Sequence, residues 1–339
     1  MAKHIVTLIA LLISGMASFA QMSLTPKELN MLDNEISRKH IYDNSKYNRI
    51  AKLSEESYSS AKYSARRYHA SIQLAKEYET FKSDSALYYF NQAYHIAEEL
   101  NDSSKITLAK LGRIKVLAIL GYFKESMTEL DEIEAQGVPE ELKDEWLDTS
   151  RQLYAYVTTY AIDNEFLFNR YLKKLNYYRD KQLEILDKNS PEHKLFLAEH
   201  YAVNGETTKA KLLFGELINE IPDSSNIYAR AAHNLSTIKS VEGHDGAAAY
   251  YLAKSAISDI KCSVKETLSI QELAIYLYNI GDIARAYKYI SSSLADAVFC
   301  NARLRTAEVS KIIPLIDGAY KDQLEKQRKT LVATNILVG

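Results

Sequence analysis

A pair of short amphipathic segments recurs along this sequence, and the repetition constrains the fold more than any other feature. One copy runs from His193 to Pro222. The copy breaks at Asn204-Gly205 into two segments. In each segment the apolar residues recur with the period of an α-helix and so form one apolar face. Pro222 ends the second segment. A single hairpin of this kind cannot bury its own apolar face, so it must stack on further copies.

Six copies align on the turn between the two segments. The turn residues, 38 to 42 positions apart, are Phe81, Gly121, Asp163, Gly205, Gly243 and Gly281. A position for small residues follows five later, with Ala86, Ser126, Phe168, Ala210, Ala248 and Ala286. Four positions further are the apolar residues Phe90, Leu130, Leu172, Phe214, Leu252 and Ile290. These aligned positions, which we call the repeat columns, predict an all-α fold of the α-solenoid type. About six antiparallel helical hairpins would form a right-handed superhelix over residues 65–302.

The third copy departs most from these columns. Its turn residue is Asp163 where four other copies have Gly, and Phe168 occupies the position for small residues. A small residue there lets two helices approach closely. We therefore expect Phe168 to push the helices of the third hairpin apart.

Further helices are predicted on both sides of the repeats. Residues 21–64 predict one long helix or a helical pair that begins at Thr25-Pro26 and caps one end of the array, with coiled-coil pairing as the alternative. Residues 303–330 predict a C-terminal capping helix that breaks or bends at Pro314. The apolar residues 331–339 follow a basic cluster and are typical of the start of a transmembrane helix, although nine residues cannot span a bilayer.

The first 20 residues have the pattern of a secretory signal peptide. Lys3 precedes an apolar core, and Ser18-Phe19-Ala20 forms a cleavage site before Gln21. We therefore expect an exported protein that is periplasmic or lies on the periplasmic face of the inner membrane.

Two cysteines, Cys262 and Cys300, remain in the mature sequence. They are 38 residues apart and hold equivalent positions in successive hairpins. Stacked helices lie about 8–10 Å apart, beyond the roughly 7 Å Cα separation that a disulfide allows. This spacing favours two reduced thiols over a disulfide.

The sequence predicts a protein that is not an enzyme and has no cofactor. It contains no Gly-rich phosphate loop, no nucleophile elbow and no zinc-protease motif, and its formal net charge of −2 gives no general attraction to nucleic acid. Two weaker metal hypotheses remain, one on His193 and His200, which share a helix face, and one on His244 and Asp245 in a turn. The first has no identifiable third ligand, and the polar residues of the second are also expected as turn caps.

The tyrosines are the better lead to a binding surface, since there are 25 of them. The aromatic-rich helices cannot bury every ring, and the first helix of each hairpin usually lines the concave face of a solenoid. There, Tyr and polar side chains suit recognition of an extended peptide. Packing between helices is the alternative role for these rings. The predicted concave-face binding residues are Tyr68, Gln73, Tyr78, Arg113, Tyr154, Tyr156 and Tyr160.

The repeat columns resemble the tetratricopeptide (TPR) superfamily over residues 65–300. The leader, the helix from Leu32 to Leu53 and the segment Gln323–Leu331 are similar to a Bacteroidota family of secreted, membrane-tethered proteins. Its members have an extracytoplasmic TPR region, one transmembrane helix and a regulator-like cytoplasmic segment. The resemblance implies a non-catalytic sensing or scaffold region that binds a protein or peptide partner, with a membrane tether beyond residue 330. The alternative is a periplasmic accessory protein of nutrient uptake that binds a glycan or another small ligand.

Overall fold

The computed structural model describes residues 23–338, which form fourteen α-helices, one short 3-10 turn at Glu140–Leu142 and no strand. The helices are α1 (Pro26–Ser59), α2 (Ala65–Tyr78), α3 (Ser83–Glu99), α4 (Ser103–Ile119), α5 (Phe123–Gln136), α6 (Lys143–Tyr160), α7 (Glu165–Ile185), α8 (Pro191–Val203), α9 (Thr207–Glu220), α10 (Asn226–Val241), α11 (Asp245–Lys261), α12 (Ser269–Asn279), α13 (Ile283–Cys300) and α14 (Arg303–Val338). This confirms the predicted all-α solenoid. The predicted signal peptide lies outside the described residues.

Helices α2 to α13 pair in sequence order as six hairpins, and each predicted turn residue lies between the two helices of one hairpin. The four turn glycines have φ between 75° and 85°, a conformation that strains other residues. Five of the six residues in the small-residue column are at most 6% exposed, which fits close helix approach. Phe168 is the exception, because it stays partly exposed, and its expected effect on the helix separation stays a prediction.

Local sequence sets the start of α1. The Thr25 side chain accepts a hydrogen bond from the Lys27 amide, and the Glu28 carboxylate accepts one from the Thr25 amide, both at 3.2 Å. Pro26 follows the cap, where its missing N–H costs no helical hydrogen bond. The predicted start at Thr25-Pro26 is therefore confirmed.

Helix α1 does more than cap one end of the array, because it contacts both ends. Its first half packs Leu29 and Leu32 into one apolar core with α11, α12 and α13. Its second half packs Ile50 against Leu74 and Phe81 of the first hairpin. The sequence pattern identified the helix but not this bridging position, which exists because the array curves until its ends meet.

The meeting of the two ends forms a seam, which we define as residues 79–84 of the first hairpin together with residues 264–266 and 299–303. The rings of Phe81 and Phe299 lie edge to face with centroids 5.2 Å apart. The Lys265 amide donates a 2.8 Å hydrogen bond to the Thr80 carbonyl, and Ser83 Oγ lies 3.3 Å from Cys300 Sγ. The seam thus joins residues 217 positions apart in the sequence and closes the array.

Ion pairs along α1 reinforce the closure. Lys39 Nζ lies 2.9 Å from an Asp296 oxygen, and Lys265 Nζ lies 2.8 Å from an Asp43 oxygen. The Lys265 side chain is only 4% exposed, so its partner compensates a buried charge. Each pair joins α1 to the last third of the array.

Helix α14 continues through Pro314 as one α-helix, so of the predicted break or bend the break is wrong, and a bend stays a prediction. Pro314 cannot donate to the Ser310 carbonyl, but both residues are exposed and water can replace that bond. Val309 and Ile316 are buried, and Tyr320 stacks on Tyr287 of α13 at 4.3 Å. Within residues 23–338, no helix combines the length and the apolar character needed to cross a bilayer.

The two cysteines are both free. Burial raises the pKa of Cys262 to about 11 and that of Cys300 to about 12. Both are therefore neutral thiols at physiological pH, and Cys300 is a buried part of the seam.

Candidate functional site: the central cavity

The closed array surrounds a cavity of about 760 Å³, which is the candidate functional site. Its walls come from α6, α7, α8, α10 and α11, and its floor includes the seam residues Glu79, Thr80 and Glu266 together with Arg305 of α14. First helices of three successive hairpins therefore line it, as expected for the concave side of a solenoid. The closure brings in the remaining walls.

Four arginines and five carboxylates contribute to the lining. The arginines are Arg151, Arg179, Arg230 and Arg305, and the carboxylates are Glu79, Asp148, Glu199, Asp259 and Glu266. Tyr156 is the only Phe, Tyr or Trp among the described residues that line the cavity. The site is thus suited to hydrogen bonding more than to stacking.

Two of the arginines are held in place by carboxylates on their own or adjacent hairpins. Arg151 Nη2 donates to Asp148 Oδ1 at 2.7 Å, and Arg230 Nη2 donates to Glu199 Oε1 at 2.7 Å. Both guanidinium groups lie over the ring of Phe196, at 4.7 and 5.0 Å from its centroid. The ring and the carboxylates fix these cations, which leaves the cavity wall preorganised.

A buried ion cluster supports the wall from α4. Lys115 Nζ donates to Glu145 and Asp148 at 2.8 Å each. Burial alone would raise the pKa of Asp148, but Lys115 and Arg151 hold it well below its usual range. Nearby Glu79 has its pKa raised by burial, opposed by Lys115. Asp148 therefore stays ionised and keeps Arg151 oriented.

Tyr156, Glu266 and Arg305 form the polar contact between α6, the seam and α14. The Tyr156 hydroxyl donates to Glu266 Oε1 at 2.5 Å, and Arg305 Nη1 donates to Glu308 Oε2 at 2.8 Å. Arg305 Nε lies 3.6 Å from Glu266 Oε2, which is too long for a hydrogen bond. Among the described residues neither of these two buried atoms has a hydrogen-bond partner.

Two further carboxylates of the cavity, besides Glu79, have raised pKa values. Burial raises the pKa of Asp259 to about 7, with His233 opposing the shift. Burial also raises the pKa of Glu266, with Arg305 and the Tyr156 hydroxyl opposing it. The charge of the cavity therefore depends on pH near neutrality.

Of the seven residues predicted on the concave face, only Tyr156 lines this cavity. Tyr68 and Tyr154 are buried between helices, where Tyr68 donates to the Lys105 carbonyl at 2.9 Å and Tyr154 stacks on Tyr178 at 5.5 Å. These contacts are those of packing between helices, which was the alternative role for the tyrosines.

The other four predicted residues lie away from the cavity. Gln73 is half-buried, and Tyr78 stacks on Tyr89 at 5.8 Å. Arg113 is half-buried and donates to Glu129, while Tyr160 is 67% exposed. The structure thus does not bring the seven together, and a binding role for each stays a prediction.

The cavity residues that sequence reasoning missed are mostly charged. Asp148 and Arg151 are three positions apart on α6, a spacing that signals a helix pair but gives no sign of a cavity. Glu266 and Arg305 carry no sequence signal, because only the closure brings them beside Tyr156.

The two histidine hypotheses gain no further ligand. Within residues 23–338 no group of three or more His, Cys, Asp and Glu side chains is placed to hold a metal ion. His200 Nδ1 lies 2.9 Å from Asp180 Oδ1, and the His244 side chain is 60% exposed.

Comparison with known proteins gives one family. A family model described as the SusR N-terminal TPR domain matches residues 36–311, which include all six hairpins and most of α1. No curated protein matches the chain. TPR domains are generally non-catalytic repeat scaffolds that mediate protein–protein interactions.

Proposed function

The chain belongs to the family of SusR N-terminal TPR domains, and from this premise we propose that it is the non-catalytic, extracytoplasmic sensing region of a membrane-tethered regulator. The observation that carries the proposal is the closed array with its charged cavity of about 760 Å³. Small-ligand sites occupy about 300–1,000 Å³ and are usually preformed. The cavity therefore suits an effector that the regulator senses.

A short peptide, or an exposed segment of a protein partner, is the first candidate for the effector. TPR domains generally mediate protein–protein interactions, and the first helices that line the cavity are the ones expected to contact a peptide. Oriented arginines and carboxylates, such as the pairs Arg151–Asp148 and Arg230–Glu199, offer donors and acceptors to a peptide backbone.

A glycan or another small polar ligand is the second candidate. The observation that favours it is the closure, because the seam residues Glu79, Thr80 and Glu266 line the cavity together with first helices of the hairpins. With Tyr156 as the only Tyr, Phe or Trp of the described lining, such a ligand would bind through hydroxyl groups rather than by stacking on several rings.

The location belongs to the same proposal. A signal peptide over residues 1–20 would export the chain, and the basic and apolar residues from Glu325 onward would lead into a membrane tether. Fractionation of the native cells, with an antibody against residues 65–300, tests this. A band in the inner-membrane fraction is expected, and a band confined to the soluble periplasm would contradict the tether.

The sensing role is tested by filling the cavity in the native cell. Ala155 lines the cavity on α6, and Ala155→Trp places a large ring in it. Ala135→Trp on α5 is the matched control, because Ala135 is exposed. We expect Ala155→Trp to change the abundance of a discrete set of transcripts while Ala135→Trp leaves them at wild-type levels. Identical transcript profiles, with both proteins present at wild-type abundance, would contradict the sensing role.

A further inference from the structure

One place in the cavity has hydrogen-bonding capacity that the protein leaves unused. Glu266 Oε2 and Arg305 Nε are both buried, lie 3.6 Å apart and have no hydrogen-bond partner among the described residues. Another polar atom of each side chain is engaged, since Glu266 Oε1 accepts from Tyr156 and Arg305 Nη1 donates to Glu308. Buried polar atoms left without partners cost free energy, so a bound group that completes both bonds is favoured.

The chemistry of the two atoms limits that group. Glu266 Oε2 needs a donor, and Arg305 Nε needs an acceptor. A ligand carboxylate would be repelled by the Glu266 carboxylate, and a ligand ammonium group would be repelled by the Arg305 guanidinium group. A neutral group that both donates and accepts, such as an amide or a hydroxyl, fits both atoms.

The position of the pair connects the cavity to the last helix. Arg305 is the third residue of α14 and is held by Glu308 on the same helix. Glu266 follows Lys265, whose amide bonds the Thr80 carbonyl across the seam. A ligand that binds the pair therefore touches both the closure of the array and the first turn of α14.

Resting on the sensing role proposed above, we infer that Glu266 and Arg305 bind a neutral amide or hydroxyl group of the effector, and that α14 responds to its presence through Arg305. Arg305 and Glu266, an ion pair with 3.6 Å between Nε and Oε2, are thus ligand-binding residues as well. An amide would come from a peptide and a hydroxyl from an oligosaccharide, and the two sources are separated by the probes below.

The experiment uses the exported chain and four probes: acetyl-tetraalanine amide, cellotetraose, tetralysine and tetraglutamate. Binding is measured by isothermal titration for the wild type and for Glu266→Gln and Arg305→Gln. In Glu266→Gln the new amide could still accept from Tyr156 but would face Arg305 with its NH₂ group, and Arg305→Gln removes the Nε donor. The controls Glu325→Gln and Arg328→Gln make the same changes on the exposed part of α14. Thermal unfolding without probe shows that each variant folds.

We expect one of the two neutral probes to bind the wild type, and each cavity substitution to weaken it by about tenfold, the loss of one hydrogen bond to a charged group. The controls should bind as the wild type does. Hydrogen exchange of the amides at 303–310 should slow with the bound probe in the wild type and not in Arg305→Gln. Binding of the peptide identifies an amide as the group, and binding of the oligosaccharide identifies a hydroxyl.

Several results would overturn the inference. They are the absence of binding by both neutral probes, tighter binding of either charged probe, wild-type affinity in both cavity variants, or unchanged exchange at 303–310. These outcomes are separate from the transcript experiment. If Ala155→Trp changes transcripts while the Glu266 and Arg305 variants bind normally, the sensing role stands and this inference falls.

Discussion

Removal of the two rings that meet at the seam tests whether the first and last hairpins stabilise each other. Phe81 is fully buried, and its ring contacts Phe299 and Tyr47, each at a centroid distance of 5.2 Å. The ammonium groups of Lys46 and Lys265 lie 5.3 and 5.7 Å from its centroid. Phe81 is therefore the residue on which α1, the first hairpin and the last hairpin converge.

The expected magnitudes follow from burial and contact. Phe81→Ala should lower the free energy of unfolding by about 3–5 kcal/mol, the usual cost for a fully buried Phe. Phe299 is 40% exposed, so Phe299→Ala should cost only about 1–2 kcal/mol. Since an edge-to-face pair contributes about 0.5–1.5 kcal/mol beyond its buried area, the double variant should lose about 1 kcal/mol less than the sum.

Urea unfolding of the wild type, the two single variants and the double variant measures this coupling free energy. The control cycle combines Phe299→Ala with Phe214→Ala. Phe214 is also fully buried, but it belongs to the separate core of α8, α9 and α10. That control should be additive within about 0.5 kcal/mol. If Phe81 and Phe299 are as additive as the control pair, the first and last hairpins do not pack against each other and the reasoning for closure fails.

Further predictions concern packing and pH. A Cβ at Gly112 would lie 2.1 Å from the Phe90 ring, so Gly112→Ala should lower the free energy of unfolding, measured in urea, by about 1–3 kcal/mol. Gly318 has no such neighbour, so Gly318→Ala should raise the free energy of unfolding by up to about 1 kcal/mol. Equal stability of the two variants would contradict the packing. Burial raises the pKa of Asp259 to about 7, so the folded state holds this proton more tightly than the unfolded state and stability falls as pH rises from about 4 to above 7. Asp259→Asn should therefore raise the thermal midpoint at about pH 8 and not at about pH 4; an equal change at both would contradict a raised pKa.

The repeat was predictable from sequence because its physical causes are local. A turn glycine at positive φ, a small residue five positions later and an apolar residue after that act within one hairpin, and Gly205 and Ala210 behave as their columns predict. Phe168 shows what the small-residue position cannot predict. Its deviation was visible, but its partial exposure depends on how the third hairpin packs.

The seam was not predictable, because the position of the last hairpin relative to the first is the sum of small rotations between successive hairpins. Nothing in the sequence near Phe81 points to Phe299, and the two contact only if every intervening repeat contributes the right angle. For the same reason α1 was identified as a helix but assigned to one end. The pattern of a helix reports which face is apolar and not which distant element covers that face.

The candidate site follows the same division. Tyr154 and Tyr156 were both assigned to a first helix, and α6 does line the cavity, but one ring packs between helices and the other faces the cavity. The two residues are two positions apart on the helix, so their side chains point about 200° apart around its axis. Arg305 lies outside the repeats, so a search confined to the hairpins could not include it.

Closure and cavity are one structural feature, because the seam residues Thr80 and Glu266 line the cavity, and Arg305 lines it beside Glu266, two residues beyond the seam. The Phe81→Ala/Phe299→Ala variant should therefore bind the neutral probe more weakly than either single variant, even where its hairpins stay folded by circular dichroism. Isothermal titration below the unfolding temperature of the variant measures this, with Phe214→Ala as the control of similar stability loss. Wild-type affinity in the seam variant would show that the ligand is held by α6, α8 and α10 alone, so that closure has no part in binding.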